Sequence, residues 1–348
     1  MANKKFSEFT LKTDPANVDF LVGYDGTDNV RIDPSNLGGG GGASDLNGLS
    51  DCLVDTDSLY VGEVPSGLSG NPQGNTVLGI DAGIALTSGI RNTFFGNDAG
   101  KSITTGQRNT IIGMQAGDAN STGNRNVFIG NAAGGSSSDG GENTIIGTFA
   151  FGSATRDTGT VGIGAGVLGN QNAGFLSGYN TAIGHYAGSS ITTGQNNTII
   201  GRQADASSAT VSNEITLGNS SITALRCAVT SITSLSDERD KSDIKDLEYG
   251  LAFIDALQPR EFVWDNRPEI RKQYDEEGNE TEVEFYSSNK GKKDFGFIAQ
   301  EVRELDNDTL RLVYAENEDK LEMSYGKLVP ILVKAIQELK EEVELLKG

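Results

Sequence analysis

The sequence predicts a mainly β fold: a repetitive 17-residue β-solenoid or β-roll shaft, then an α+β domain ending in a coiled-coil helix. Three observations carry this expectation. A glycine recurs in register through the first two thirds of the chain, and a short β-branched segment precedes it each time. At Ser236 the texture changes abruptly to a charged segment that closes on a heptad pattern.

The recurring glycine stands at Gly62, Gly79, Gly96, Gly113, Gly130, Gly147, Gly164, Gly184, Gly201 and Gly218. Every interval is seventeen residues except that from Gly164 to Gly184, which holds three more. A fixed period of this size implies stacked, quasi-one-dimensional architecture. Just before each marker come large aliphatic or aromatic residues such as Leu78, Phe95 and Ile112, and two residues earlier Thr or Val, as in Thr76, Thr93 and Val127. Period-two spacing of this kind predicts a short strand in every unit. The residue between, such as Val77, Phe94 or Ile111, is also apolar. A strand apolar on both faces must be covered on both. One face fills the interior of the coil, and the other is expected to self-associate.

Other positions fit the same unit. Gly83, Gly100, Gly117, Gly134 and Gly188 follow four residues after a marker and suit a tight corner. Asn75, Asn92, Asn109, Asn126, Asn143, Asn180 and Asn197 recur in register and predict a stacked amide ladder. At ~4.8 Å per rung, ten rungs make a rod of roughly 50 Å. A Gly-Gly-x-Gly-x-Asp calcium pattern is absent, and threonine shares its face with large aliphatics, unlike an ice-binding surface. The lone histidine, His185, reads as a surface corner residue.

Ahead of the shaft, residues 1–37 read as a small β element in which Phe20–Tyr24 and Asn29–Ile32 flank the turn dipeptide Asp25-Gly26. Residues 38–57, opening with five glycines, read as a linker, and residues 58–235 as the shaft. The chain of 348 residues carries 46 Gly and a net charge of −20, from 28 basic and 48 acidic residues. That balance argues against nucleic acid or an anionic membrane as partner. The amino terminus does not read as a signal peptide, and no apolar run is long enough to insert in a membrane. Cys52 and Cys227 flank the repeats and are expected to be buried thiols, not a disulfide framework. No cofactor is expected, and no cluster has metal-ligand spacing.

Residues 236–348 form the second domain. Tyr249–Pro259 reads as a short helix stopped by its proline, Arg260–Trp264 as a strand, and Asn266–Lys293 as a long solvated hairpin around Glu277-Gly278-Asn279. The acidic stretch Asp275–Asn279 lacks the ligand spacing of a calcium loop. Val329, Leu332, Ile336, Leu339, Val343 and Leu346 alternate spacings of three and four, a heptad seam whose Val/Ile and Leu mixture leans towards two strands.

Ser236-Asp-Glu-Arg-Asp-Lys-Ser-Asp-Ile, Gly250-Leu-Ala-Phe-Ile-Asp-Ala-Leu-Gln-Pro, Phe262-Val-Trp, Phe295-Gly-Phe-Ile-Ala-Gln-Glu-Val and Leu321-Glu-Met-Ser-Tyr-Gly-Lys-Leu-Val-Pro together resemble the endosialidase-type intramolecular chaperone domain. The resemblance covers about 110 residues in order, from Ser236 to Pro330 and beyond. It implies a bacteriophage tail fibre or tailspike: a homotrimer assembled in the host cytoplasm, carried on the virion, and cut by its own tail. It implies cleavage of the Leu235–Ser236 bond with Ser236 and Lys241 as the catalytic pair. The amino terminus would meet other virion proteins and the shaft a host cell-surface receptor, with the loops of the irregular unit Gly164–Gly184 as its contact. The alternative is a structural adhesin of a cell surface or contractile injection particle with an uncut cap. Activity on other substrates is not expected, including glycoside cleavage, for which no carboxylate pair stands out.

The local chemistry sets a demand. A lysine serves as base only when neutral, and neutralising an ordinary one at pH 7 costs about 4.6 kcal/mol. Arg239 and Lys245 would help, while Asp237, Asp240 and Asp243 would oppose by favouring the ammonium form. Neighbouring protomers are expected to complete the setting.

Overall fold

The computed structural model describes residues 21–24, 29–32, 52–55, 57–70, 72–153, 156–172, 178–227, 236–274, 280–286, 289–306 and 309–348. Strands β1 (Leu21–Tyr24) and β2 (Asn29–Ile32) form the expected antiparallel hairpin, pairing Leu21 with Ile32 and Tyr24 with Asn29. Its turn lies outside the described residues.

The shaft is one eleven-stranded sheet. Strand β3 (Cys52–Asp55) pairs antiparallel with β4 (Ser58–Gly62), so the sheet begins inside the segment expected as linker. The strands that follow are parallel and stacked in chain order: β5 (Thr76–Gly79), β6 (Thr93–Phe95), β7 (Thr110–Ile112), β8 (Val127–Ile129), β9 (Thr144–Ile146), β10 (Val161–Ile163), β11 (Thr181–Ile183), β12 (Thr198–Ile200) and β13 (Ile215–Leu217). Equivalent repeat positions pair, as Thr76, Val77 and Leu78 do with Thr93, Phe94 and Phe95. The register survives the longer coil, since Val161 still pairs with Thr181. Each coil is therefore one turn of a β-solenoid.

The middle residue of each strand enters the interior. Val77, Phe94, Ile111, Phe128, Ile145 and Ile199 are buried, joined by Ala82, Ala99, Ala116 and Ala133 from the corner and by Leu86, Ile103 and Ile191 from the opposite wall. Burying each such large side chain contributes roughly 1.5–3 kcal/mol relative to exposure. The flanking strand residues point outward, where Leu78, Phe95, Ile163, Ile183, Ile200 and Leu217 remain exposed in the single chain. That stripe is the second apolar face expected from the strand composition.

Marker glycines are required by stacking. At Gly113 φ is +131° and an added Cβ would lie 2.4 Å from the Gly130 carbonyl oxygen. No side chain fits between coils there. Gly100, four residues past its marker, has φ +59° and lies against the buried Phe94 ring, so it serves the tight corner as expected.

The amide ladder runs along the interior. Asn92 N–H donates to Asn75 Oδ1 at 2.9 Å, Asn109 to Asn92 at 3.0 Å, Asn126 to Asn109 at 3.0 Å and Asn143 to Asn126 at 3.1 Å. Each side-chain amide also crosses the coil, as Asn109 Nδ2 does to the Gly123 carbonyl at 2.8 Å. These bonds satisfy backbone groups that burial would otherwise leave unpaired. Where Thr160 replaces asparagine, buried Gln171 fills the gap, donating to Thr160 Oγ1 at 3.3 Å and accepting from Asn180 Nδ2 at 3.1 Å. The same coil has Gly162 at the interior strand position, and the buried side chains of Val167 and Leu168 occupy the vacated space. The longer coil thus carries its own filling. Residues 173–177 of this expected receptor-contact unit lie outside the described residues.

The second domain has α1 (Leu251–Ala256), β14 (Arg260–Val263), β15 (Glu269–Tyr274), β16 (Glu280–Phe285), β17 (Lys293–Gly296), α2 (Ala299–Asp306), β18 (Val313–Tyr314), β19 (Glu322–Met323) and α3 (Leu328–Lys347). The expected hairpin is β15–β16, enclosed by the pairing of β14 with β17. A small core gathers Leu257, Val302, Leu312, Val313, Leu328 and Ile331. Glu338 of α3 accepts the Leu251 N–H at 2.6 Å, holding the open end of α1 on the tail helix. The heptad positions Val329, Leu332, Ile336, Leu339, Val343 and Leu346 lie on the exposed side of α3, while Leu328, Ile331 and Ala335 face the domain. Cys227 is exposed, contrary to the expectation of a buried thiol, because its segment runs past the last coil. The Cys52 side chain lies outside the described residues.

Candidate functional site

A local turn from Ser236 to Lys241 builds the site. Asp237, in an extended conformation, starts a 3-10 turn over Glu238–Asp240 and its carboxylate accepts the Arg239 backbone N–H at 2.9 Å. The Arg239 guanidinium folds back on the same carboxylate, with Nε at 3.0 Å and Nη2 at 2.6 Å. Lys241 leaves the turn extended, its N–H donating to the Glu238 carbonyl at 3.1 Å. The chain has doubled back, and Lys241 Nζ stands 2.7 Å from Ser236 Oγ and 3.0 Å from the Ser236 carbonyl oxygen.

The hydroxyl and amine expected as a pair are therefore in hydrogen-bond contact, the geometry that proton removal from a nucleophile requires. Leu235 lies outside the described residues. Both Ser236 and Lys241 are exposed in the single chain.

The charges around the pair differ from those expected. Bonds from Arg239 hold the Asp237 carboxyl below the usual carboxylate range, and that ion pair neutralises the aspartate nearest Ser236. The same pairing removes Arg239 as an uncompensated cation. Lys245 approaches Glu248 at 3.4 Å and so is engaged away from the pair. The mutual cancellation of Asp237 and Arg239 was the feature that residue-by-residue charge reading missed. Its signal was present: an aspartate two residues before an arginine at a turn favours a side-chain to backbone bond.

Residues 236–311 match the family model of the chaperone of endosialidase. The match begins on Ser236 itself and takes in the 3-10 turn, α1, the β14–β17 strands and α2. It leaves out the shaft and the tail helix. No curated protein and no solved structure matches the chain. The chaperone domain therefore sits directly after a β-solenoid, with the Ser236–Lys241 contact at its first residues.

Among the described residues, no group of three or more His, Cys, Asp or Glu side chains is placed to hold a metal ion. None of the described helices is long and apolar enough to cross a membrane.

Proposed function

We propose that this chain is a virion fibre or spike protein whose C-terminal domain brings three copies together, starts the shaft in register, and then cuts itself off at Leu235–Ser236. The chaperone-family match and the solenoid before it support the fibre reading. Two exposed apolar surfaces support self-association: the outward stripe of the shaft and the heptad face of α3. Parallel strands seventeen residues apart must find each other across loops, so the first coil is the slow one to form. Tethering three chains at one end raises their local concentration and makes that step intramolecular. Once the tether is gone, the rod persists through a high unfolding barrier, which is kinetic stability.

A single observation carries the proposed cut, the 2.7 Å contact between Lys241 Nζ and Ser236 Oγ. Neutral Lys241 takes the hydroxyl proton, and Oγ bonds to the Leu235 carbonyl carbon. The Leu235–Ser236 C–N bond breaks as the proton passes to the Ser236 nitrogen, leaving an ester. Water then hydrolyses the ester, giving a Leu235 carboxylate and restoring the serine hydroxyl. Packing of neighbouring protomers over the exposed pair supplies the desolvation that favours the neutral amine.

Purified wild-type protein should give, on a denaturing gel, a fragment whose first residue by amino-terminal sequencing is Ser236. Ser236→Ala and Lys241→Ala should each abolish it while leaving the assembled mass intact. A folded, assembled wild type that stays full-length would contradict the cut.

A further inference from the structure

The amide ladder ends on a different residue. Counting seventeen on from Asn197 gives Glu214, and its N–H donates to Asn197 Oδ1 at 3.0 Å as a ladder asparagine's would. The carboxylate then turns to the end of the shaft. It accepts from the Ser207 N–H at 2.9 Å, Ser207 Oγ at 2.6 Å and Thr216 Oγ1 at 3.0 Å, binding the last coil to itself. Thr216 holds the interior strand position that Ile199 holds one coil earlier. At its interior strand position the terminal coil has thus exchanged an apolar side chain for a polar one, as suits the end of a stack.

Two hydrogen bonds from the chaperone domain land on this same pair of residues. Tyr314 Oη donates to Glu214 Oε2 at 3.2 Å, and Asn317 Nδ2 donates to the Ser207 carbonyl at 2.7 Å, across 100 and 110 residues of sequence. Tyr314 ends β18 and Asn317 follows it, so one edge of the domain presents both donors. Ser207 and Glu214 are seven residues apart in the chain and meet only when the last coil has closed. Glu214 is aimed correctly only when that coil is stacked on the one before.

We propose that Glu214 and Ser207 form a recognition site for the chaperone domain, through which Tyr314 and Asn317 dock on the shaft only after its last coil is closed and stacked. The contact holds the domain to the shaft separately from the peptide bond, so scission and release are two events. This deepens the chaperone reading and rests on it, but docking needs no cut. Beside the contact lies a cleft of about 1350 Å³ lined by Trp264, Glu214 and Tyr314. Trp264 is the sole tryptophan of the chain and reports on that cleft.

The test uses the full-length Ser236→Ala chain, in which shaft and domain stay joined. Amide exchange is followed at residues 207–217 and 313–323, with Trp264 emission in parallel, against Tyr314→Phe, Asn317→Ala and the two combined. Tyr314→Phe keeps the ring and removes only the hydroxyl, so the domain core is untouched. Docking predicts about fivefold faster exchange in both segments per lost bond, the factor matching a hydrogen bond of ordinary net worth, with residues 76–200 unchanged. A shift of Trp264 emission should accompany it. Unchanged exchange in both segments and unchanged emission in the double variant overturn the proposal. Glu214→Gln gives a second reading from the shaft side, with the same faster exchange at 313–323 expected and its absence counting against docking. The wild-type Ser236 fragment, read separately, tests the cut alone.

Discussion

The shaft and the chaperone domain solve stability in opposite ways. A regular coil of the shaft buries one strand residue, one alanine and one aliphatic or polar wall residue, and its ladder asparagine bonds to the neighbouring coil. The domain has six residues in the centre of its core, while Phe295 is 81% exposed and Leu346 88% exposed. The shaft closes its interior coil by coil within one chain, while its outward stripe stays exposed. The domain is built from local helices and hairpins and leaves apolar side chains exposed.

Breaking the shaft should have the largest effect. Phe128→Ala removes a fully buried ring between Ile111 and Ile145 and should cost about 3–5 kcal/mol, read as a lower unfolding midpoint of the assembled protein. Asn109→Ala follows. It removes the acceptor of the Asn126 N–H and the donor to the Gly123 carbonyl, leaving two buried groups unpaired. A loss of roughly 2–4 kcal/mol is expected by the same measurement.

The domain should answer differently. Ile336→Glu alters a heptad residue that is 66% exposed in the single chain, so the fold of that chain should change by no more than about 0.5 kcal/mol. In the uncut Ser236→Ala background, light scattering should nevertheless show a fall towards the single-chain mass of 36.7 kDa. An unchanged assembled mass would remove α3 from the interface.

The smallest effect belongs to the junction. Desolvation, and after it the Glu214 charge, raise Glu322 above its ordinary value of 4.5. A raised carboxylate pKa favours the protonated form in the folded state. Its stabilising contribution is complete below about 4.5 and is lost as pH rises through the raised folded value. Glu322→Gln should therefore slow exchange at 313–323 above that window and match wild type below it.

Much of this was legible in the sequence because a solenoid repeats its physics. Seventeen-residue spacing placed the strands, the corner glycine at Gly100 and the ladder asparagines, but left open which strand face turns inward. The hairpins and the helix ending ahead of Pro259 followed from turn and proline chemistry. What escaped was whatever departs from the period. Strand β3 runs antiparallel and has no repeat counterpart, so Cys52–Asp55 resembled linker. Gln171 substitutes for a ladder residue from a different place in its coil, and Glu214 looks like an ordinary acid until its N–H is seen to take the ladder bond. Left-handed corners are also filled by Arg91, Arg108 and Arg125, whose residue type carries no warning of it. At the candidate site, family resemblance named Ser236 and Lys241. Five residues of separation alone did not require them to touch, and the Asp237–Arg239 pair that shapes the turn emerged only with geometry.

Refolding from denaturant shows whether the tail domain is needed to start the shaft. The full-length Ser236→Ala chain and a chain ending at Leu235 are diluted side by side, and the recovered cooperative thermal transition of the shaft is measured. Recovery as an assembled rod is expected only when residues 236–348 are attached. Equal recovery by the shorter chain would contradict it.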